Sequence, residues 1–290
     1  MDKMQVIISS NTDINAVYFG IALSGYEYAD IDKSDDIIEM LQQIRSHSGL
    51  DEAKQYFSNT RQTICGVYPF WPRAALLESA TFFITGESFD FDNYCTYVKA
   101  LPNLTAEEKS DDFFCWVKDS PKYLTQIKSD PFFQKINKRI HSKVNEISLN
   151  SIKEIRLIEG KLERLSTNVA SAISTISLVI CPLICIYSAD YFTNGSIMSV
   201  ILGDFLPNSI VHEYLHPIVR PYIKKHRERI TNLDGIKHLD LDKSYYINND
   251  ENGMLNAFEE NIVRKISDSI LDENEVNIEK LFFDELNNKV

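Results

Sequence analysis

The stretch SIVHEYLHPIV, Ser209 to Val219, constrains this chain more than any other. It sets His212, Glu213 and His216 inside an apolar run, in a protein with 6 histidines among 290 residues. Leu-Pro-Asn-Ser precedes it, so Asn208 or Ser209 is expected to cap a helix that starts there. Residues i and i+4 of a helix project from one face, one above the other. Two imidazoles therefore point at one place in an apolar setting. Buried imidazoles need partners, and a shared metal ion is one. Zinc accepts imidazole nitrogen, and a catalytic zinc uses three protein ligands plus a water. Glu213 follows the first histidine and is rotated around the helix, toward the water rather than the ion, where a general base is needed. The plainer alternative is a hydrogen-bonded pair of core histidines with Glu213 in a salt bridge.

A third ligand must come from elsewhere. HEYLHPIVRPY has Val219 and Tyr222 where an HExxHxxGxxH pattern would have Gly and His. A carboxylate is expected instead, and LNAFEENIVRKIS, Leu255 to Ser267, offers two. Leu255, Phe258, Ile262, Val263 and Ile266 give that segment helical period. Glu260 shares a face with Arg264, four residues on, which can hydrogen-bond a ligating carboxylate from behind. Glu260 is therefore preferred, with Glu259 as its substitute. Tyr245, Tyr246 and His238 lie between the ligands in sequence and are candidate donors to a developing oxyanion.

Chain-wide features narrow the class. A formal charge of −12 and a pI near 5.0 argue against a nucleic-acid partner. The basic run KKHRER, Lys224 to Arg229, reads as a solvated helix end. Five cysteines without close CxxC pairs suggest reduced thiols, with Cys181 and Cys185 buried in a strand. Val169 to Tyr187 is nearly long enough to span a membrane, but Pro182 and its β-branched residues favour a buried strand, so no integral span is expected. The start, MDKMQVIISSN, has no apolar core of secretion-signal length. That leaves a cytoplasmic chain, or a secreted or periplasmic one if a longer precursor is trimmed.

The first part of the chain, residues 1–165, reads as mainly helical. Thr105 with Glu108 forms a capping box. Pro131 opens a helix whose Phe133, Ile136, Ile140, Val144 and Ile147 form one apolar stripe. SIKEIRLIEGKLERL continues with the same period, and His47 and His141 read as helix-surface residues. From residue 166 to 290 the character changes. TISLVICPLICIY and SIMSVILGDF read as two strands, a hairpin by proximity, with Asn194-Gly195 as turn chemistry between them. The two regions can equally form one continuous domain.

VHEYLH followed by FEENIVR resembles the gluzincin group of zinc metallopeptidases, which pair an HExxH helix with a Glu on a later helix. More narrowly, HPIVRP, EENIVR, the early VIISSNTDINAVYFGIAL and LVICPLI are similar to a bacterial family of unknown function with that signature. The resemblance implies an α+β, zincin-like fold, mostly helical with a small β-sheet beside the HExxH helix. It implies Zn2+ held by His212, His216 and Glu260, Glu213 as catalytic base, and a peptide or protein substrate laid along a sheet edge, for which SIMSVILGDF is placed. Pro217 and Arg220 depart from the family pattern. Two other readings stay open: a zinc-retaining but inactive binding module, and a metal-free helical structural protein.

Overall fold

The computed structural model describes residues 4–25, 30, 32–58, 71–85, 88–100, 111–169, 172–186, 188–233, 251–272 and 276–288. The chain is mostly helical with a small mixed sheet, an α+β architecture. Strand β1 (Gln5–Ser9) leads into α1 (Thr12–Leu23), α2 (Asp35–Arg45), α3 (Asp51–Ser58) and α4 (Trp71–Thr81). A short hairpin, β2 (Ile84–Thr85) and β3 (Ser88–Phe89), precedes α5 (Phe91–Ala100), α6 (Asp111–Lys118) and α7 (Ser120–Ser129). The long helices α8 (Pro131–Asn150) and α9 (Ile152–Val169) return the chain to the sheet strands β4 (Thr175–Ile180), β5 (Ala189–Asn194) and β6 (Ile197–Leu202). Then come α10 (Pro207–Lys225), α11 (Arg227–Thr231), α12 (Glu251–Asp272) and α13 (Ile278–Asn288).

The four main strands lie in the order β1-β4-β6-β5. β1 and β6 are both parallel to β4, and β5 is antiparallel to β6. The strands β4 and β6 are thus parallel neighbours, not the hairpin that their sequence proximity suggests. The true hairpin is β5–β6, closed at Asn194-Gly195, where Gly195 adopts φ 60°. A left-handed turn residue of that kind costs glycine little. Because β1 supplies the first strand, the sheet draws on both the 1–165 and the 166–290 regions.

Alternation along the strands divides the apolar side chains between two cores. One face carries Val179 and Ile201 against α1, α2, α3, α7 and α8. The other carries Ile176, Leu178, Met198 and Val200 against α9, α10, α12 and α13. The α8 stripe forms as expected: Phe133, Ile136, Ile140 and Val144 are buried, and Asp130 caps the helix by accepting from Phe133 N–H. By contrast, α1 is buried from Ile14 to Leu23, so its sequence shows no amphipathic period.

Several local expectations are corrected. Helix α10 starts with Pro207 at its first position, and neither Asn208 nor Ser209 caps it; Leu206 holds the cap position without a side-chain bond. Cys181 and Cys185 are buried, but in the turn after β4 rather than in a strand. His47 stacks on Phe132 and sits 3.3 Å from Asp130 Oδ2, and His141 Nε2 lies 3.5 Å from Thr12 Oγ1, so both tie α8 to the elements beside it. Lys224, Lys225, Arg227 and Arg229 are exposed, as a solvated helix end should be. The Thr105–Glu108 capping box lies outside the described residues. Among the described residues, no helix is long and apolar enough to cross a membrane.

Candidate metal centre

Helix α10 lies on the sheet through Ile210, Val211, Tyr214, Leu215, Ile218 and Val219, all in the second core. That packing fixes the helix rotation, and His212 and His216 then face α12. Pro217 and Pro221 sit within α10, and the helix is assigned without a break through both. Pro217 has no N–H to give the Glu213 carbonyl, so the helix loses one ladder bond there while keeping the turn that carries the histidines.

Three groups from two helices converge. His212 Nε2 and His216 Nε2 are 3.2 Å apart. Glu260 Oε2 is 3.3 Å from His212 Nε2, and Glu260 Oε1 is 3.4 Å from His216 Nε2. Glu213 Oε2 stands off at 4.0 Å from His216 Nε2, and His212, Glu213 and His216 form a group of metal-binding geometry. A zinc ion at about 2.0–2.1 Å from tetrahedral ligands sets neighbouring ligand atoms about 3.3–3.4 Å apart. The two Nε2 atoms lie about that far apart, and each faces a different oxygen of the Glu260 carboxylate at about that distance, so two imidazoles and this carboxylate fit such an ion.

The neighbours of His216 complete the fit. Its Nδ1 lies 2.6 Å from Glu259 Oε1, which also accepts from Arg220 Nε at 2.9 Å. A carboxylate only accepts, so Nδ1 carries a proton at this contact, and in the neutral imidazole that a metal would bind the Nε2 lone pair faces His212 and Glu260. Tyr191 of β5 stacks on the His216 ring, centroids 5.9 Å apart and 13° from parallel. Arg220 Cζ lies over the Tyr191 ring as well, 5.5 Å from its centroid. Arg220, flagged by the sequence only as a departure, thus grips both Glu259 and Tyr191.

The electrostatics favour positive charge. Burial lowers the basicity of His216, but the Glu259 hydrogen bond and the charges of Glu213, Glu260 and Glu259 outweigh it and carry the imidazole up to about 9. Burial raises the Glu260 carboxyl, yet its bond to His212 and the charges of His216, His212 and Arg264 bring it down to about 2. Glu213 is held above its usual range, by burial first and with Glu260 adding to it. His212 and Glu260 are the open side, with side chains 20% and 23% exposed, while His216 and Glu259 are 7% and 6% exposed.

Measured against the sequence, Glu259 and Glu260 divide their work. Glu260 joins the two histidines, and Glu259 is not its substitute: it bonds the opposite edge of the His216 ring. Arg264 Nε is 3.9 Å from Glu260 Oε2 on a half-exposed side chain, an ion pair beyond hydrogen-bond reach, and the support from Glu259 and Arg220 goes to His216 instead. The edge beside α10 is β5, since β6 is paired on both sides; SIMSVILGDF does not supply it. Tyr245, Tyr246 and His238 lie outside the described residues. Tyr191 and Asp190, both on β5, were not legible as site neighbours, although Arg220 stands four residues beyond His216 and shares its face. No protein-family model, curated protein or solved structure matches this chain.

Proposed function

We propose that the protein is a zinc-dependent metallopeptidase of gluzincin-like, zincin-type design, with a peptide or protein as substrate. The observation that supports this most is the convergence of His212 Nε2 and His216 Nε2, 3.2 Å apart, on the two oxygens of Glu260 at 3.3 and 3.4 Å, with Glu213 one step further off. Zinc bound by His212, His216 and Glu260 would supply Lewis acidity, bringing a water toward neutral pKa and polarising the scissile carbonyl.

The chain's own residues supply the rest. Glu213, buried and held above the ordinary carboxyl range, would take a proton from the attacking water and return it to the leaving amine. Glu259 fixes the tautomer and tilt of His216, and Arg220 holds Glu259 in place. β5 ends the sheet beside α10, and its unshared edge is where an extended peptide would add as a further strand.

Elemental analysis and a peptide-library digest test the proposal. Purified wild type should carry zinc at near-equal stoichiometry and cleave, Glu260→Ala should lose the metal, and Glu213→Gln should keep zinc while losing turnover. Zinc without cleavage of any peptide would make the protein a binding module. Absence of zinc from wild type would leave a helical structural protein.

A further inference from the structure

The strand that ends the sheet beside the metal centre carries an aromatic ring on each face. Its ladder fixes which backbone groups it leaves over. Cys181 N–H donates to the Leu202 carbonyl at 2.9 Å, so Leu202 turns its backbone groups toward β4. These groups alternate in direction along a strand, so Ile201 turns its own toward β5 and its partner Asp190. Tyr191, one residue on, therefore directs its N–H and C=O to the unshared edge. In keeping with this, Tyr191 N–H donates to the Asp190 side chain, at 2.8 Å from Oδ1. A substrate strand would add along that edge.

Side chains alternate as well. The Tyr191 ring lies on the α10 face, stacked on His216. Phe192 lies on the opposite face and stacks on Phe82, just past α4, with centroids 4.5 Å apart and 7° from parallel. Phe83 and Tyr97 of α5 meet the Phe192 ring edge-on, at 5.6 and 5.3 Å between centroids. Tyr94, which Phe83 also meets edge-on, is fully buried. Phe82, Phe83, Tyr97 and Phe192 are each only half-buried. These four rings are thus the rim of a core, with part of their apolar surface left in water. Covering such surface with another ring is favourable.

An added strand follows the same alternation. Its residue beside Tyr191 faces α10, and the next one, beside Phe192, faces the four rings. Side chains paired across strands on one face touch, and a ring opposite Phe192 can pack offset or edge-on, as its present neighbours do. We propose that Phe192, Phe82, Phe83 and Tyr97 form an aromatic subsite, so that the preferred peptides carry Phe, Tyr or Trp next to the residue lying over α10. This rests on the peptidase reading above.

Short capped peptides test it, each with one Phe at a different position of an Ala-Ser host, beside a matching set with Leu. Zinc-loaded wild type should favour Phe over Leu at one distance from the scissile bond, by roughly 2- to 10-fold in kcat/KM, the range for an aromatic pair beyond its burial. In Phe192→Leu that ratio should fall to near one, with zinc content equal to wild type. Tyr97→Leu gives a second reading should Phe192→Leu fail to fold, and it should lower the same ratio. Cleavage by wild type without a ring preference, or a preference that both variants keep, overturns the subsite and leaves the peptidase reading intact. A further readout needs no turnover. Calorimetry on zinc-loaded Glu213→Gln should find one Phe peptide bound more tightly than its Leu counterpart, and the added Phe192→Leu change should remove the difference. Equal binding of the two sets also overturns the subsite. A ring preference in binding, with no peptide cleaved by wild type, supports the subsite and removes the peptidase.

Discussion

His216 makes the most contacts at the centre. It faces His212 and Glu260 with Nε2, Glu259 with Nδ1, and Tyr191 with its ring. Removing Glu259 should therefore act through His216. Glu259→Gln is expected to weaken zinc binding roughly 10- to 100-fold, the usual cost of losing a carboxylate behind a ligating histidine. Glu260→Ala should cost far more, and chelator competition measures both; equal losses would mean that the two glutamates are interchangeable. The HEYLH spacing was legible because i and i+4 share a helix face whatever the fold. The division between Glu259 and Glu260 was not, since adjacent helix residues differ only by rotation, and rotation is set by packing on α10. Asp190 was invisible because its setting comes from sheet register. It also titrates out of place, raised to about 7 by burial first and then by Glu213. A carboxyl with a raised folded pKa binds more protons folded than unfolded between its two pKa values. Its contribution is full below the unfolded value near 3.8 and is lost as pH rises through about 7. Wild type should thus lose stability relative to Asp190→Asn between pH 4 and 7, by up to about 1.4 kcal/mol per pH unit. Parallel urea titrations with no divergence across that window would remove Asp190 as an ionisable buried group.

At the scale of elements, the helices with a clear apolar stripe were readable and the sheet was not. α8 showed Phe133 to Val144 at spacings of three and four because one side of it faces solvent. α1 has no such side, so VYFGIAL carries no period to read. β5 was passed over because ADYFTN is a half-buried edge with polar residues on both faces. The apolar β4 and β6 then looked like a hairpin, although a crossover through β5 makes them parallel. Close packing of α1 gives a sharp prediction. A Cβ on Gly20 would stand 2.4 Å from Phe57 Cδ2 and Cε2, and Phe57 is fully buried on α3. The ring is enclosed in the first core, so it or the contact between α1 and α3 must shift. Gly20→Ala should destabilise by about 1–3 kcal/mol, as overpacked cores do, despite alanine's better helix propensity. Urea denaturation measures it, and a stabilised variant would show that α3 is not held against α1.

The whole molecule places its chemistry off centre. The sheet separates a first core built on α1, α2, α3, α7 and α8 from a second built on α9, α10, α12 and α13, and the ligands of the proposed metal centre come from α10 and α12. No local reading could supply this, because β1 comes from residues 5–9 and its partner β4 from residues 175–180. The asymmetry determines what metal removal should do. An ion that binds only the folded state adds stability as RT ln(1 + [L]/Kd), about 4 kcal/mol at a thousandfold excess over Kd. Chelation should lower the melting temperature of wild type, and it should leave Glu260→Ala unchanged. The lost protection should also be local. His212 and His216 on α10 and Glu259 and Glu260 on α12 put the proposed ligands and their support on the contact between those two helices, so the bonds lost with the ion are lost there. Backbone amides of α10 and α12 should exchange faster in the chelated protein, while those of α1 and α8, across the sheet, keep their rates. Hydrogen exchange read by mass spectrometry resolves the two sets. Uniform loosening of both cores would mean that the ion supports the fold as a whole, and unchanged rates in α10 would mean that it does not bind between these helices.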